Sequence, residues 1–230
     1  MNGLNGIGWP LDAPTPEQLK EFFVQIANGK ITKERLHFFL NKEALKFGEL
    51  SFLLADWQDF YREIFGIEID IGNLSIPERK KDFKRLLVVA EGITPQKIYD
   101  KCLKFFSCCK WTNQNLDDIV FSERVAKKSY AVWVRDASEA DEDLKNLSAV
   151  ELKNIPGITL EERLLMELKY FKETGRHLDS ENFLTLCSGS RYADGNVPKV
   201  FWFSGNGGLS VYWAKPEDSY VGLCSRRVIC

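Results

Sequence analysis

Apolar residues recur every three or four positions between Thr15 and Gly66, while beyond residue 129 they alternate, so the chain reads as a helical region followed by a sheet. Thr15-Pro16-Glu17-Gln18 supplies an N-cap, a proline at the first helical position and a Gln at the third, which is the capping-box arrangement. Leu19, Phe22, Phe23 and Ile26 follow on one face, and Gly29 marks the stop. A second helix is predicted from Thr32, with Leu36, Phe39 and Leu40 as its stripe. A third covers 50–65, where Leu53, Trp57, Phe60, Tyr61 and Ile64 repeat before Gly66.

The stretch 66–77 alternates as an edge strand or an extended linker, which sets the domain boundary near residue 75: a helical region over 1–75 and an α+β domain over 76–230. Pro77 to Arg85 can open another helix, and the uniformly apolar run 86–90 fits a strand buried on both faces. Thr94-Pro95 starts a helix with Ile98, Cys102 and Phe105 on its inner face. Residues 111–128 are polar and aperiodic, hence loop, and 129–135 reads as a central strand. A short helix can begin at Ser148. Thr159-Leu160-Glu161-Glu162 is a second capping box, opening a helix with Leu160, Leu164, Leu168 and Phe171 as its stripe and Gly175 as its stop.

Four strands are predicted after it, over 183–192, 197–203, 209–214 and 220–229. Asp194-Gly195 is a hairpin signal between the first two, and the glycines around 205–208 join the next pair. Leu209, Val211 and Trp213 fall on one face of the third strand and give it a dry side. The fold class is α+β: an N-terminal helical region, then a mixed sheet with covering helices, ending in an antiparallel β-meander.

Composition narrows the function classes. A net charge of −2, with 44% hydrophobic and 28% charged residues, is ordinary globular usage. No apolar run approaches the roughly 18 residues that cross a bilayer, which predicts no membrane partner. The opening residues carry neither a basic stretch nor a long apolar one, so a cytoplasmic location is expected. Arg79, Lys80, Lys81, Lys84 and Arg85 form the one basic cluster, interrupted by Glu78 and Asp82. It reads as a solvated helix face first and a nucleic-acid contact second. The six cysteines contain no C-x-x-C and the chain has two histidines, so no metal site and no cofactor are assigned and buried thiols are expected.

Four places could carry chemistry. Asp136, Glu139, Asp141, Glu142 and Asp143 follow a strand, where hydrolases and nucleases hold divalent metal. The E-x-K triplets at Glu151 and Glu167 fall in helical pattern, not on the neighbouring strand such a nuclease needs. Cys187 or Ser190 could act as nucleophile with His177 as base, but no nucleophile elbow surrounds them, and a packed thiol with a helix C-terminal cation is the simpler reading. Gly205, Gly207 and Gly208 precede a strand, not a helix, and so form a hairpin turn rather than a phosphate loop. The segment 188–195 gathers Arg191, Tyr192 and Asp194 at a strand end, as recognition loops do, and with Trp202 and Trp213 these are the candidate binding residues.

Three phrases carry a resemblance: S-Y-A-V-W-V-R-D-A-S-E-A-D-E-D-L-K, G-I-T-L-E-E-R-L-L-M-E-L-K-Y-F-K and T-L-C-S-G-S-R-Y-A-D-G. With P-T-P-E-Q-L-K-E-F-F and I-P-E-R-K-K-D-F-K-R-L-L-V-V-A-E-G, they make most of the chain similar to a family of bacterial proteins that recurs in candidate-phylum genomes. The resemblance implies a cytoplasmic bacterial protein and brings with it no reaction, cofactor or catalytic residue. The leading expectation is a non-enzymatic, macromolecule-binding or regulatory module whose partner is another protein. A metal-dependent hydrolase or nuclease built on Asp136 and its neighbours, and nucleic-acid binding through Arg79–Arg85, stand as alternatives.

Overall fold

Thr15 caps the first helix as its sequence requires. In the computed structural model, which describes residues 15–32, 45–180, 183–203, 205 and 207–230, α1 (Pro16–Ala27) starts with the Thr15 hydroxyl accepting from Gln18 N while the Gln18 amide oxygen accepts from Thr15 N. Leu36, Phe39 and Leu40 lie outside the described residues. The chain divides into two compact units, 1–53 and 54–230. In the first, Leu19, Phe23, Val24 and Ala27 line an open apolar face of α1. No helix among the described residues is long and apolar enough to cross a membrane.

α2 (Leu45–Phe65) enters the second unit at Leu54. Its aromatic stripe seals one sheet edge. Trp57 Nε1 donates to Leu86 O (3.0 Å) and Tyr61 Oη donates to Val88 O (2.8 Å) and accepts from Ala90 N (3.0 Å). These groups belong to β1 (Arg85–Val89) and the residue after it, a strand buried from Leu86 onward as its apolar run predicts. β1 pairs antiparallel with β4 (Tyr130–Val134), whose other edge exchanges two hydrogen bonds with Ile229. The alternating stretch 66–77 forms no strand, turns at 72–73 and lies within the second unit.

The helix expected over 77–85 is absent. Only Phe83 there is buried and apolar, so no stripe exists to drive helix formation; instead Trp133 Nε1 takes Pro77 O at 2.9 Å and Arg79 lies over the Trp133 ring. α3 (Pro95–Cys102) forms behind its Thr94 cap with Ile98 and Cys102 inside, but Phe105 falls beyond its end and is exposed. The loop expected over 111–128 holds a one-turn helix, α4 (Leu116–Ile119), and β3 (Val120–Ser122).

The largest sheet is mixed. Its strand order is β2 (Ser107–Lys110), β8 (Gly208–Ala214), β7 (Val197–Phe203), β5 (Leu184–Leu186), β9 (Leu223–Ser225). The antiparallel meander is β5-β7-β8, and both outer strands, β2 and β9, join it in parallel. The strand expected over 183–192 breaks in two, because after Leu186 the chain turns at 187–189 and β6 (Ser190–Tyr192) leaves to pair with β3. Ala140, Leu144, Ala149 and Leu152 pack with Leu186, Val197, Ala214 and Leu223 as one core cluster. The helix expected from Ser148 is one 3-10 turn (Glu151–Asn154), led in by reciprocal bonds between Ser148 and Glu151.

α5 (Leu160–Thr174) has the second capping box, Thr159 with Glu162, and the left-handed Gly175 that its sequence announces. Its burial exceeds a stripe: every residue from Leu160 to Lys169 is buried, including five ionisable ones, Glu161, Glu162, Arg163, Glu167 and Lys169, the last paired with Asp56 and Glu173. Such a helix must find partners for its charges inside the protein.

Candidate functional site

Two internal networks hold the first four of those ionisable groups. At the N-terminus of α5, the fully buried Glu162 accepts from Arg124 Nε (2.7 Å) and Nη2 (2.9 Å), from Tyr130 Oη (3.1 Å) and from Thr159 N (2.8 Å). Beside it, Glu161 accepts from Ser122 Oγ (2.7 Å), and Ser190 Oγ accepts from Leu160 N (2.9 Å). Burial pushes the Glu161 carboxyl above its ordinary value of 4.5. A carboxyl raised on folding favours the native state below its unfolded value and loses that contribution as pH rises through the folded one. Glu161→Gln keeps an acceptor for Ser122 without the charge. It should therefore unfold at higher urea than the wild type at neutral pH, with the two midpoints converging below pH 4.5; equal midpoints at both pH values would refute this.

The second network joins α5 to the chain on either side of β5. Arg163 donates from Nη2 to Asp179 Oδ2 (2.8 Å) and from Nη1 to Glu167 Oε2 (2.8 Å). Arg226 Nη2 reaches Asp179 Oδ1 at 2.6 Å, and its other contacts are Thr185 Oγ1, Ala137 O and Ser138 O. Thr185 Oγ1 also donates to Asp179. Burial raises the Asp179 carboxyl, but Arg226 and Arg163 outweigh it and hold the group below its usual range, as an anion between two cations. No buried side-chain polar atom among the described residues lacks a partner. The arrangement is a closed clamp.

His177 sits at the outer end of this clamp. Its Nδ1 lies 2.9 Å from Glu167 Oε1, and its ring stacks on Trp202 and against Phe171, with Phe106 edge-on at 5.0 Å. The structure does not bring it to a nucleophile. Burial raises the Cys187 thiol, and Ser190 is tied to Leu160 N and Ser122. Cys108 has its thiol pushed up to about 12 by burial, with Glu167 adding to the rise, the reverse of activation. No protein family, curated relative or solved structure matches this chain.

The acidic stretch is taken up by cations and backbone amides, with Asp141 and Asp143 sharing Arg135. Asp136 pairs with Arg85 (2.7 Å), Asp141 with Arg135 (2.9 Å) and Arg227 N (2.8 Å), Asp143 with Arg135 (2.6 Å), and Glu142 with Lys145 (3.0 Å). Glu139 accepts from Ser180 N and Phe183 N. Among the described residues no group of three His, Cys, Asp or Glu side chains is placed to share an ion. Within the basic cluster, Arg85 is drawn inward by Asp136 and Glu173, which leaves Lys80, Lys81 and Lys84 at the surface.

The five candidate binding residues separate. Arg191 Nη1 donates to Ser188 O (2.8 Å) and Ser190 O (2.7 Å), which makes it a brace for the 187–190 turn. Tyr192 is buried, its ring edge-on to Trp111 and its Oη bonded to Tyr212 O. Asp194 accepts from Asn196 N and Nδ2, closing an Asx-turn. Trp202 shares a sheet face with Leu209 and is occupied by His177. Trp213 is 38% exposed, so the dry side of β8 ends at Val211.

The opposite face of the strand pair carries the exposed aromatics, beside the buried Gly208 and Ser210. Lys199, Phe201 and Phe203 alternate along β7 and pair with Tyr212, Ser210 and Gly208 of β8, so all lie on the face opposite Trp202. Phe203 is 51% and Tyr212 41% exposed, and Tyr220 joins them through its hydroxyl, which accepts from Lys199 Nζ at 3.0 Å. A one-residue phase along β7 separates the stacked Trp202 from the exposed Phe203. Aromatic content alone does not carry that phase; the pairing with β8 does.

Proposed function

We propose that this protein is a non-enzymatic binding module whose ligand is another protein, engaged through the outer face of β7 and β8. The observation that carries the reading is the exposure of Phe203, Tyr212 and Tyr220 around Phe201 on that face, beyond the end where Ala140, Leu144, Ala149 and Leu152 cover Val197 and Ala214. Aromatic rings held on a rigid strand pair lose little conformational entropy when covered, and they supply much of the energy of protein interfaces. The buried Glu162, Arg163, Glu167, Asp179 and Arg226 are spent on ion pairs in the two networks, which fits a structural role for them better than a chemical one. A protein ligand suits the face better than a nucleic acid, because Lys199, the cation on it, is bonded to Tyr220 and the net charge is −2.

The test uses the double variant Phe203→Ser, Tyr212→Ser. Proteins captured by the wild type are identified, purified and titrated against both forms. Affinity should fall about tenfold or more with the far-ultraviolet spectrum unchanged. Indistinguishable affinities, or the absence of any partner captured by the wild type, would refute the proposal. Arg191→Ala should act differently: it removes two bonds to the 187–190 turn, lowering stability by about 1 kcal/mol without weakening the titrated affinity.

A further inference from the structure

Every strand edge presents backbone donors and acceptors that something must satisfy. In this fold the outer edge of β1 is sealed by Trp57 and Tyr61, and that of β4 by Ile229. The outer edge of β9 is closed by Asp141 N on Ser225 O (3.0 Å) and Asn146 N on Leu223 O (2.7 Å). Among the described residues β2, at the other end of the five-stranded sheet, has no such closure. Trp111 N donates to Val211 O at 3.1 Å, which sets the phase of the parallel ladder: Cys109 turns its backbone N–H and C=O toward β8, while Cys108 and Lys110 turn theirs the other way. Among the described residues nothing bonds to those outward groups. Ser107 is exposed, Cys108 to Lys110 are half-buried, and Trp111 is exposed beyond them.

We infer that two copies of this chain pair through β2, edge to edge and antiparallel, with Cys109 facing its own counterpart on the two-fold axis. Outward groups at Cys108 and Lys110 are symmetric about Cys109, so Cys108 meets the partner's Lys110 and Lys110 meets the partner's Cys108. Each meeting is a doubly hydrogen-bonded pair, and no like charges are opposed. Cys109 then occupies a non-hydrogen-bonded position, where opposed Cα atoms are about 4.5 Å apart. Its thiol, 3.3 Å from Ser210 Oγ, lies on the same face as Phe201. The two five-stranded sheets become one ten-stranded sheet, and the axis keeps both aromatic faces on the same side. This inference rests on backbone geometry and stands apart from the function proposed for those faces.

Sedimentation of the full chain over a concentration series should show the mass rising from 26.4 kDa toward twice that value. In a Cys108→Ser, Cys230→Ser background, a short bismaleimide should couple two chains through Cys109, and adding Cys109→Ser should abolish the coupled band. Cys108→Pro removes an N–H that β8 does not use, so it should remain monomeric with an unchanged far-ultraviolet spectrum. A wild type of monomer mass at every concentration would overturn the inference. So would coupling that survives Cys109→Ser, or a folded Cys108→Pro protein that still dimerises; if that variant fails to fold, the coupling result decides alone.

Discussion

Asp179→Ala should cost about 3–5 kcal/mol, enough to leave the strand-bearing unit at the margin of unfolding at room temperature, since whole domains are stable by about 5–15 kcal/mol. The carboxylate is buried between two guanidinium groups that are themselves buried, Arg163 on α5 and Arg226 just after β9. Alanine leaves both cations in the interior with their charge uncompensated, and each must then be rehydrated by opening the structure or remain at a high desolvation cost. Asp179→Asn should be milder, because an amide oxygen still accepts from Arg226 or Thr185, although the charge is gone. Urea unfolding followed by tryptophan fluorescence orders the three proteins as wild type, Asn, Ala. An Ala midpoint within error of the wild type would refute the clamp. The sign with pH follows from the depressed Asp179 carboxyl, whose contribution is present above the ordinary carboxylate value of 3.8 and is lost as pH falls through the lower folded one.

What was legible in the sequence is what a few neighbouring residues decide. Both capping boxes need only residues three apart, and both helices start where Thr15 and Thr159 place them. The burial of β1 follows from its unbroken apolar run, and the α+β class from the change of period along the chain. Illegible features depend on distant partners. Pro77 to Arg85 carries helix-compatible residues, yet Trp133, 56 positions from Pro77, holds that segment extended. β3 has three residues and no pattern of its own, and exists because β6 pairs with it across some seventy positions. Arg226 and Arg227 look equivalent as adjacent cations, but strand alternation sends Arg226 into the clamp and leaves Arg227 a third exposed. The candidate site suffered most from this limit. Arg191, Tyr192 and Asp194 have the polar character of a recognition loop, and each is used by its own turn or core.

Gly189→Ala should destabilise the same unit by about 3 kcal/mol, the upper end of the usual cost of overpacking, by prising α5 from the sheet. A Cβ at Gly189 would lie 2.6 Å from Gly157 O, 3.2 Å from Ile158 O and 3.2 Å from Thr159 Cγ2. Two of these three neighbours are backbone, so no rotamer change relieves the overlap. The approach is close because Gly189 N donates to Ile158 O at 3.1 Å and Ser190 Oγ accepts from Leu160 N, which pins the first turn of α5 to the 187–190 turn. Gly157 bridges Arg227 on its far side, so the segment cannot simply retreat. The reciprocal change, Gly157→Ala, would place a Cβ 1.8 Å from Ser188 Oγ, a hydroxyl already 3.0 Å from that of Ser225. Turning the Ser188 rotamer relieves that overlap and loses the hydroxyl contact; the remaining neighbours, Ser188 Cβ at 3.0 Å and Gly189 N at 3.3 Å, are tight but less so than 2.6 Å to a carbonyl, so its cost should be the smaller of the two. Thermal unfolding of the two variants should rank Gly189→Ala below Gly157→Ala and both below the wild type. A Gly189→Ala protein as stable as the wild type would mean that α5 is not docked through this backbone contact. In that case the clamp around Asp179 would be its main attachment to the sheet.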